Sequence, residues 1–306
     1  VTESNMIHGV LNVYKEAGFT SHDVVAKLRG ILKQKKIGHT GTLDPDAVGV
    51  LPVCLGKGTR LCDLLTDETK TYETVLLLGQ STDTQDTSGT VLETAEPETD
   101  PEKIRACIAG FEGEYMQTPP MYSALKVNGR KLYELAREGI EVERKPRRVQ
   151  FHSIRILEIA PPRVKMEVTC SKGTYIRTLC HDIGESLGCH GCMEHLTRTR
   201  VGRFQIADSK TLNEIETAVR EGTFAQLLTP VDQMFPDHPY IAVRPEADGL
   251  VFNGNPLKES SFAGGARPDR TTKIRLYSSD GLFVGIYQYD EKRKIWKPEK
   301  MFLERP

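Results

Sequence analysis

No stretch of the 306 residues approaches the roughly 18 consecutive apolar residues that a membrane span requires. The start, VTESNMIHGVLNVYKEAG, also lacks a basic segment followed by an apolar run, so neither a span nor a secretory leader is expected. Net charge is nearly absent too: 41 Lys and Arg oppose 42 Asp and Glu, giving −1. Bulk charge therefore announces no polyanionic ligand, and any such function must rest on local patches. The phosphate-cradling signatures are missing: GKGT at 56–59 lacks the upstream glycine of a P-loop, and no Rossmann glycine spacing occurs. The seven cysteines are odd in number and widely spread in a chain too large to need disulfide staples, so reduced thiols and a cytoplasmic protein are expected. Met6 is a candidate natural start, with residues 1–5 a variant end.

What is present is ordinary globular material, 38% hydrophobic and 27% charged, long enough for a larger and a smaller domain. GVLNVYKEAG (9–18) reads as a strand broken at glycine. The following TSHDVVAKLRGILKQKK carries Val24, Val25, Leu28, Ile31 and Leu32 at helical spacing behind Thr20 or Ser21 as N-cap. Its other face is basic, from Lys27 through Lys36. TYETVLLLGQ (71–80) alternates, with Tyr72, Thr74, Leu76 and Leu78 on one face. Asp100 and Pro101 start a helix. RVKMEVTCSKGTYIRTLCHDIGESLG (163–188) reads as strand, glycine turn and helix, which puts Arg177 in the first helical turn. From about residue 240 short β segments with a hairpin-like SSDG suggest a small β domain, with TPVDQMFPDHP as its linker.

Three segments carry candidate chemistry. Residues 118–148 interleave Lys126, Arg130, Lys131 and other cations with Tyr122 and Tyr133, as a surface excursion or as a mobile basic flap, poorly ordered until it closes on a polyanion. Cys180, His181, Cys189, His190, Cys192 and His195 include one C-x-x-C, but no second one completes a structural zinc site, so no metal is assigned. GHTGTLDPDAVGVLPV (38–53) sets Asp44 before a proline between glycines. That is either an Asx turn into a buried strand or a mount that presents one carboxylate as nucleophile or base.

GHTGTLDPDAVGVLPV, KTYETVLLLG and CSKGTYIRTL, in this order and spacing, resemble the three core motifs of the TruB family of RNA pseudouridine synthases. The resemblance extends through GVLNVYKEAGFTSHDVV, STDTQDTSG and PPMYSALKVNGRKLYELAREGIEV into a C-terminal end similar to a PUA domain, and so covers nearly the whole chain. It implies an α+β pseudouridine synthase fold: a central mixed, largely antiparallel sheet flanked by helices and loops, over residues 1–236 with 118–148 as a basic RNA-binding insertion. Residues 237–306 would form a small β-barrel-like RNA-binding domain.

By the same resemblance Asp44 stands at the catalytic aspartate, Tyr72 at a tyrosine that stacks on the target uracil and helps remove its C5 proton, and Arg177 at the arginine that pairs with the carboxylate. Asp86 matches a second acid of that network, His39 a histidine that fills space vacated by the flipped nucleotide, Lys15 a lysine of the first motif, and Leu196 an apolar wall. Lys126, Arg130 and Lys131 would grip RNA. The implied reaction isomerises uridine 55 in the T loop of tRNA. It needs a carboxylate near C1′, a stacking platform and payment for base flipping, but no metal, ATP or redox cofactor. No protein partner is required and nothing demands more than a monomer. Three departures stand out: Glu16 follows Lys15 where proline is usual, Thr197 stands between Leu196 and Arg198 where arginine is usual, and Asp46 adds an acid. Alternatives are a guide-RNA-dependent synthase subunit, a branch that lacks the long basic insertion, and a non-catalytic RNA-binding protein. A glycosidase built on Asp44 and Asp46 would need two acids facing each other across a sugar, and two residues on one turn do not readily do so.

Overall fold

The computed structural model describes residues 6–303; the proposed variant end (1–5) and the last three residues lie outside the described residues. The large sheet runs in the order Leu228–Thr229, Gly9–Lys15, Val48–Leu55, Gly191–Val201, Lys70–Leu78, Arg163–Cys170, Arg147–Ala160, Gly113–Gln117. Its ladders are antiparallel except one: Gly191–Val201 runs parallel to Val48–Leu55, with Thr197 opposite Val48 and Arg198 opposite Gly49. The mixed, largely antiparallel sheet of the sequence reading is what the chain forms.

Period-two patterning places the strands. Tyr72, Thr74, Leu76 and Leu78 are buried on one face of Lys70–Leu78. Tyr72, Leu76 and Leu78 share a core with Ile176, Leu179 and Ile183 of the helix Ile176–Ser186, whose first turn therefore lies against the sheet. On the other side, the helix Ser21–Leu32 buries Val24, Val25 and Leu28 against Leu11, Val13 and Val53, together with Leu212 and Ile215 of the helix Leu212–Arg220. Thr20 caps it in a reciprocal box with Asp23: the Thr20 hydroxyl accepts from Asp23 N at 3.0 Å, and Thr20 N donates to Asp23 Oδ2 at 2.8 Å. The helix ends at Leu32, with Lys33 in the left-handed region. Lys35 and Lys36 thus leave the helix, and its basic face is shorter than the pattern of charges suggested.

The four-stranded C-terminal sheet, Tyr240–Ala242, Ile274–Tyr277, Phe283–Asp290 and Ile295–Met301, has its own core around Val243, Phe262, Tyr287 and Trp296. Leu257 bridges Trp296 on one edge and Phe262 bridges Val243 near the other, so the segment between them draws the two edges together in a barrel-like closure. The stretch expected as a linker is packed instead. Leu228–Thr229 adds to the large sheet beside Val10 and Leu11, Val231 is buried, and Asp232 accepts from the Tyr277 hydroxyl at 2.7 Å. Ile286 and Phe302 join a core with Val10, Val50 and Val201 of the larger unit. Among the described residues no helix is long and apolar enough to cross a membrane.

Candidate active site

Asp44 sits on the loop between the strands Ile37–His39 and Val48–Leu55, and almost every turn of that loop is tied down. Ala47 N donates to Asp44 O at 3.1 Å, closing the turn through Pro45. Lys15 Nζ and Gly18 N both donate to Pro45 O, at 3.0 Å each. Ser21 Oγ, at the start of the first helix, accepts from Leu43 N at 3.0 Å. Arg198 reaches both ends, donating from Nε to Val50 O at 2.7 Å and from Nη2 to Gly41 O at 3.1 Å. Gly49 (φ +110) is needed at the parallel crossing, because a Cβ there would lie 2.2 Å from Arg198 O. The segment is a turn into a buried strand, but the turn is closed by the Asp44 backbone carbonyl and not by an Asx bond, which leaves the carboxylate to meet Arg177.

That carboxylate meets Arg177. Arg177 Nε lies 2.8 Å from Asp44 Oδ2, and Nη2 donates to Asp44 Oδ1 at 3.3 Å. The guanidinium is 5% exposed and also donates to Thr84 O at 3.0 Å and Tyr122 O at 2.8 Å. Its fork is thus fixed by four acceptor atoms on three segments far apart in sequence, which defines the carboxylate's position. Asp86 Oδ2 stands 4.0 Å from Arg177 Nε, and Asp86 itself accepts from the hydroxyls of Thr84 and Ser88.

Two neighbouring concavities share Asp44, Arg177 and Leu196 in their linings. The outer cleft, of about 830 Å³, is lined by Asp44, Asp46, Asp86, Tyr122, Arg177 and Leu196, with Lys131, Tyr133 and Arg137 from the insertion. The inner pocket, of about 270 Å³, holds Asp44, Tyr72, Arg177 and Leu196 against Lys70 and Arg198. The sequence-predicted Asp44, Tyr72, Arg177 and Leu196 therefore converge. Burial pushes the Tyr72 phenol up, with the nearby Arg198 acting the other way.

The remaining candidates are placed differently. Lys15, fully buried, stands behind the loop and spends its ammonium on Pro45 O and Glu16 O, so it acts on the mount and not on the cleft surface. Burial lowers it to about 8, partly offset by Asp44 and Asp46. His39 packs edge-on against His22, ring centroids 5.2 Å apart, and burial lowers it to about 4; it is His22 that lines the outer cleft. Asp46 is exposed on the cleft rim.

The insertion is folded. Lys126–Val127 and Arg130–Lys131 pair around Asn128 (φ 50) and Gly129 (φ 83), and the helix Leu132–Arg137 buries Leu132 and Leu135. Lys131 and Arg137 flank the Tyr133 ring, each 5.3 Å from its centroid, whereas Arg130 is engaged by Glu138. In the cysteine and histidine cluster, Cys180 packs by Thr74, Cys192 faces Gln80, and His190 is held by Glu185. No group of three or more His, Cys, Asp or Glu that could hold a metal ion occurs among the described residues.

Sequence reasoning assigned no role to Lys70 or Arg198. The signal was available: each lies two residues along a strand from a candidate, Lys70 from Tyr72 and Arg198 from Leu196, hence on the same face.

A carboxylate clamped beside a pocket with an aromatic floor suits chemistry on one base drawn out of its stack. Comparison with known proteins narrows the class. Residues 29–176 match the model of the TruB family pseudouridylate synthase N-terminal domain, and residues 177–236 that of the tRNA pseudouridylate synthase B C-terminal domain. A protein of Lachnoclostridium phytofermentans called tRNA pseudouridine synthase B is 53% identical, over 97% of this chain and all of the relative. One of Bacillus pumilus with the same name is 40% identical, over 98% of this chain and 99% of its own. Among solved structures, a chain of a Cbf5–Nop10–Gar1 complex is 28% identical with a TM-score of 0.71, covering 97% of this chain and 86% of that one. The chain belongs to the TruB family of pseudouridylate synthases, and it is an isomerase.

Proposed function

We infer that this enzyme isomerises uridine to pseudouridine in tRNA, at position 55 of the T loop, unaided by guide RNA or a protein partner in the cytoplasm. The observation that carries the reading is the convergence of Asp44, Arg177, Tyr72 and Leu196 on one pocket of base-sized dimensions. The whole-length likeness to proteins called tRNA pseudouridine synthase B, 53% identical against 28% for the Cbf5 chain, favours tRNA and the stand-alone form. The basic insertion beside the cleft favours it as well.

In this reading the T arm docks on residues 118–148 and on the C-terminal RNA-binding domain, residues 237–306, and the uridine flips into the inner pocket. Lys126, Arg130 and Lys131 face the RNA backbone, and His39 backs the space the nucleotide leaves. Stacking on Tyr72 contributes about 1–3 kcal/mol towards the roughly few kcal/mol that flipping costs. Asp44, aimed by Arg177, attacks C1′; the C1′–N1 pair leaves with the base, the base turns, and C5 attacks C1′ to release Asp44. The C5 proton is then lost and N1 gains one. The test is incubation with an unmodified T stem-loop RNA without guide RNA. Pseudouridine forms with the wild type and not with Asp44→Asn, and no product from the wild type sinks the reading.

A further inference from the structure

The inner pocket holds more positive charge than its known partners use. Beside the Arg177–Asp44 pair lie two further buried cations, Lys70 (6% exposed) and Arg198 (1% exposed). Among the described residues neither is paired with a carboxylate. Lys70 Nζ donates to Thr66 O at 2.8 Å and Glu68 O at 2.7 Å, and Arg198 donates to Val50 O and Gly41 O. Taking an ion out of water costs several kcal/mol, and backbone carbonyls could be held by neutral donors at lower cost. Both residues line the pocket that holds Asp44 and Tyr72. They reach it from adjacent strands, where Arg198 stands directly opposite Tyr72 and Lys70 lies two residues before it on the same face.

A neutral uracil has no need of two unneutralised cations. A uracil that has just lost its ribose does: when Asp44 Oδ bonds to C1′, the C1′–N1 electron pair stays on the base, which becomes an anion with charge spread over N1 and its carbonyl oxygens. We propose that Lys70 and Arg198 are further catalytic residues, a preorganised cationic floor that stabilises the detached uracil anion until C5 bonds to C1′. The mechanism is that of an oxyanion hole, with charge fixed in advance where charge develops. Burial lowers Lys70 to about 8, which still leaves it a cation at neutral pH. The proposal rests on the functional reading above and on attack at C1′.

The experiment compares wild type, Lys70→Met, Arg198→Met and Arg198→Lys on a T stem-loop RNA carrying uridine or 5-fluorouridine at the target. Single-turnover loss of the starting nucleoside, Kd and thermal melting are measured. With uridine, the Met variants lose about 10²- to 10³-fold in rate while Kd stays within about threefold, and Arg198→Lys recovers part of the loss. With 5-fluorouridine, whose base is a better leaving group, the deficit of the Met variants shrinks at least about tenfold. Three results overturn the proposal: wild-type rates in folded variants, a loss confined to Kd, which would mark a phosphate contact, or an undiminished deficit with 5-fluorouridine, which would mark a purely structural role. Arg198 also ties the Asp44 loop, so if Arg198→Met does not fold, Lys70→Met decides, since the bonds of Lys70 run to the backbone at residues 66 and 68 and not to the Asp44 loop. Absence of product from the wild type would count against the functional reading instead.

Discussion

Arg177 Nε lies 2.8 Å from Asp44 Oδ2 across 133 residues of sequence, and the same guanidinium holds Tyr122 O at 2.8 Å. One planar group thus sets the carboxylate and docks the first turn of the basic insertion. A lysine at 177 would keep the charge but not the fork. Arg177→Lys is expected to lower kcat by about 10²-fold or more while leaving T stem-loop affinity within about threefold, because the loss is one of aim. Measured kcat and KM check this, and a rise in KM with unchanged kcat would show that Arg177 serves docking alone.

Tyr72 can serve as a platform or as a proton acceptor, and its surroundings bear on the choice. Burial holds its phenol above the ordinary value, so the ring meets the base as a neutral phenol. If stacking is the main task, Tyr72→Phe retains most of the binding, whereas Tyr72→Leu loses about 1–3 kcal/mol of it. A role in moving the C5 proton appears separately. Release of tritium from 5-tritiated uridine would lag behind glycosidic cleavage in Tyr72→Phe, and equal rates for the two steps would remove that role.

Lys15 makes a prediction about stability. Burial brings its ammonium from the ordinary 10.5 to about 8 in the folded chain. Between those values the unfolded chain binds the extra proton and the folded chain does not, so this residue's contribution to stability rises with pH across that window. Below about pH 8 the penalty for the buried cation is present in full. Relative to Lys15→Met, the wild type should gain up to about 3 kcal/mol between pH 8 and 10.5. Urea denaturation at pH 7.5, 9 and 10 measures it, and a flat difference would show that Lys15 is not held as a buried cation.

The strands of the sheet and the helix starts were legible because each had a local signature. Alternation in Lys70–Leu78, the capping box at Thr20 and Pro101 at a helix start each impose structure within a few residues. Pro45 and the glycines around Asp44 specified a turn, but it was the resemblance of three separate motifs to the TruB family that singled out Asp44 with Tyr72 and Arg177. What stayed hidden depends on partners distant in sequence. The linker's addition to the large sheet follows from Val10 and Leu11, more than two hundred residues away. Lys15 matched a motif lysine, yet its buried station behind Pro45 follows from the loop folding back over it. Lys70 and Arg198 received no role although each shares a strand face with a candidate, because the pocket they line is assembled from segments distant in sequence.

The insertion supplies the last prediction. Lys126 is exposed, Lys131 lines the outer cleft, and Arg130 is already engaged by Glu138, with both side chains about half exposed. RNA binding releases counterions in proportion to the phosphates neutralised, so the dependence of log K on log salt counts the cations that truly meet phosphate. Replacing all three by Gln should flatten that slope by about 2, not about 3, since Arg130 must first leave Glu138 to contribute fully. The single-turnover rate at saturating RNA should stay within a few-fold, because the Asp44–Arg177 pair is untouched. Binding of a T stem-loop at several salt concentrations, for the triple variant and for Arg130→Gln alone, measures both quantities. A full unit of slope lost in Arg130→Gln would show that RNA displaces Glu138, while no change in the triple variant would move the RNA path off this hairpin.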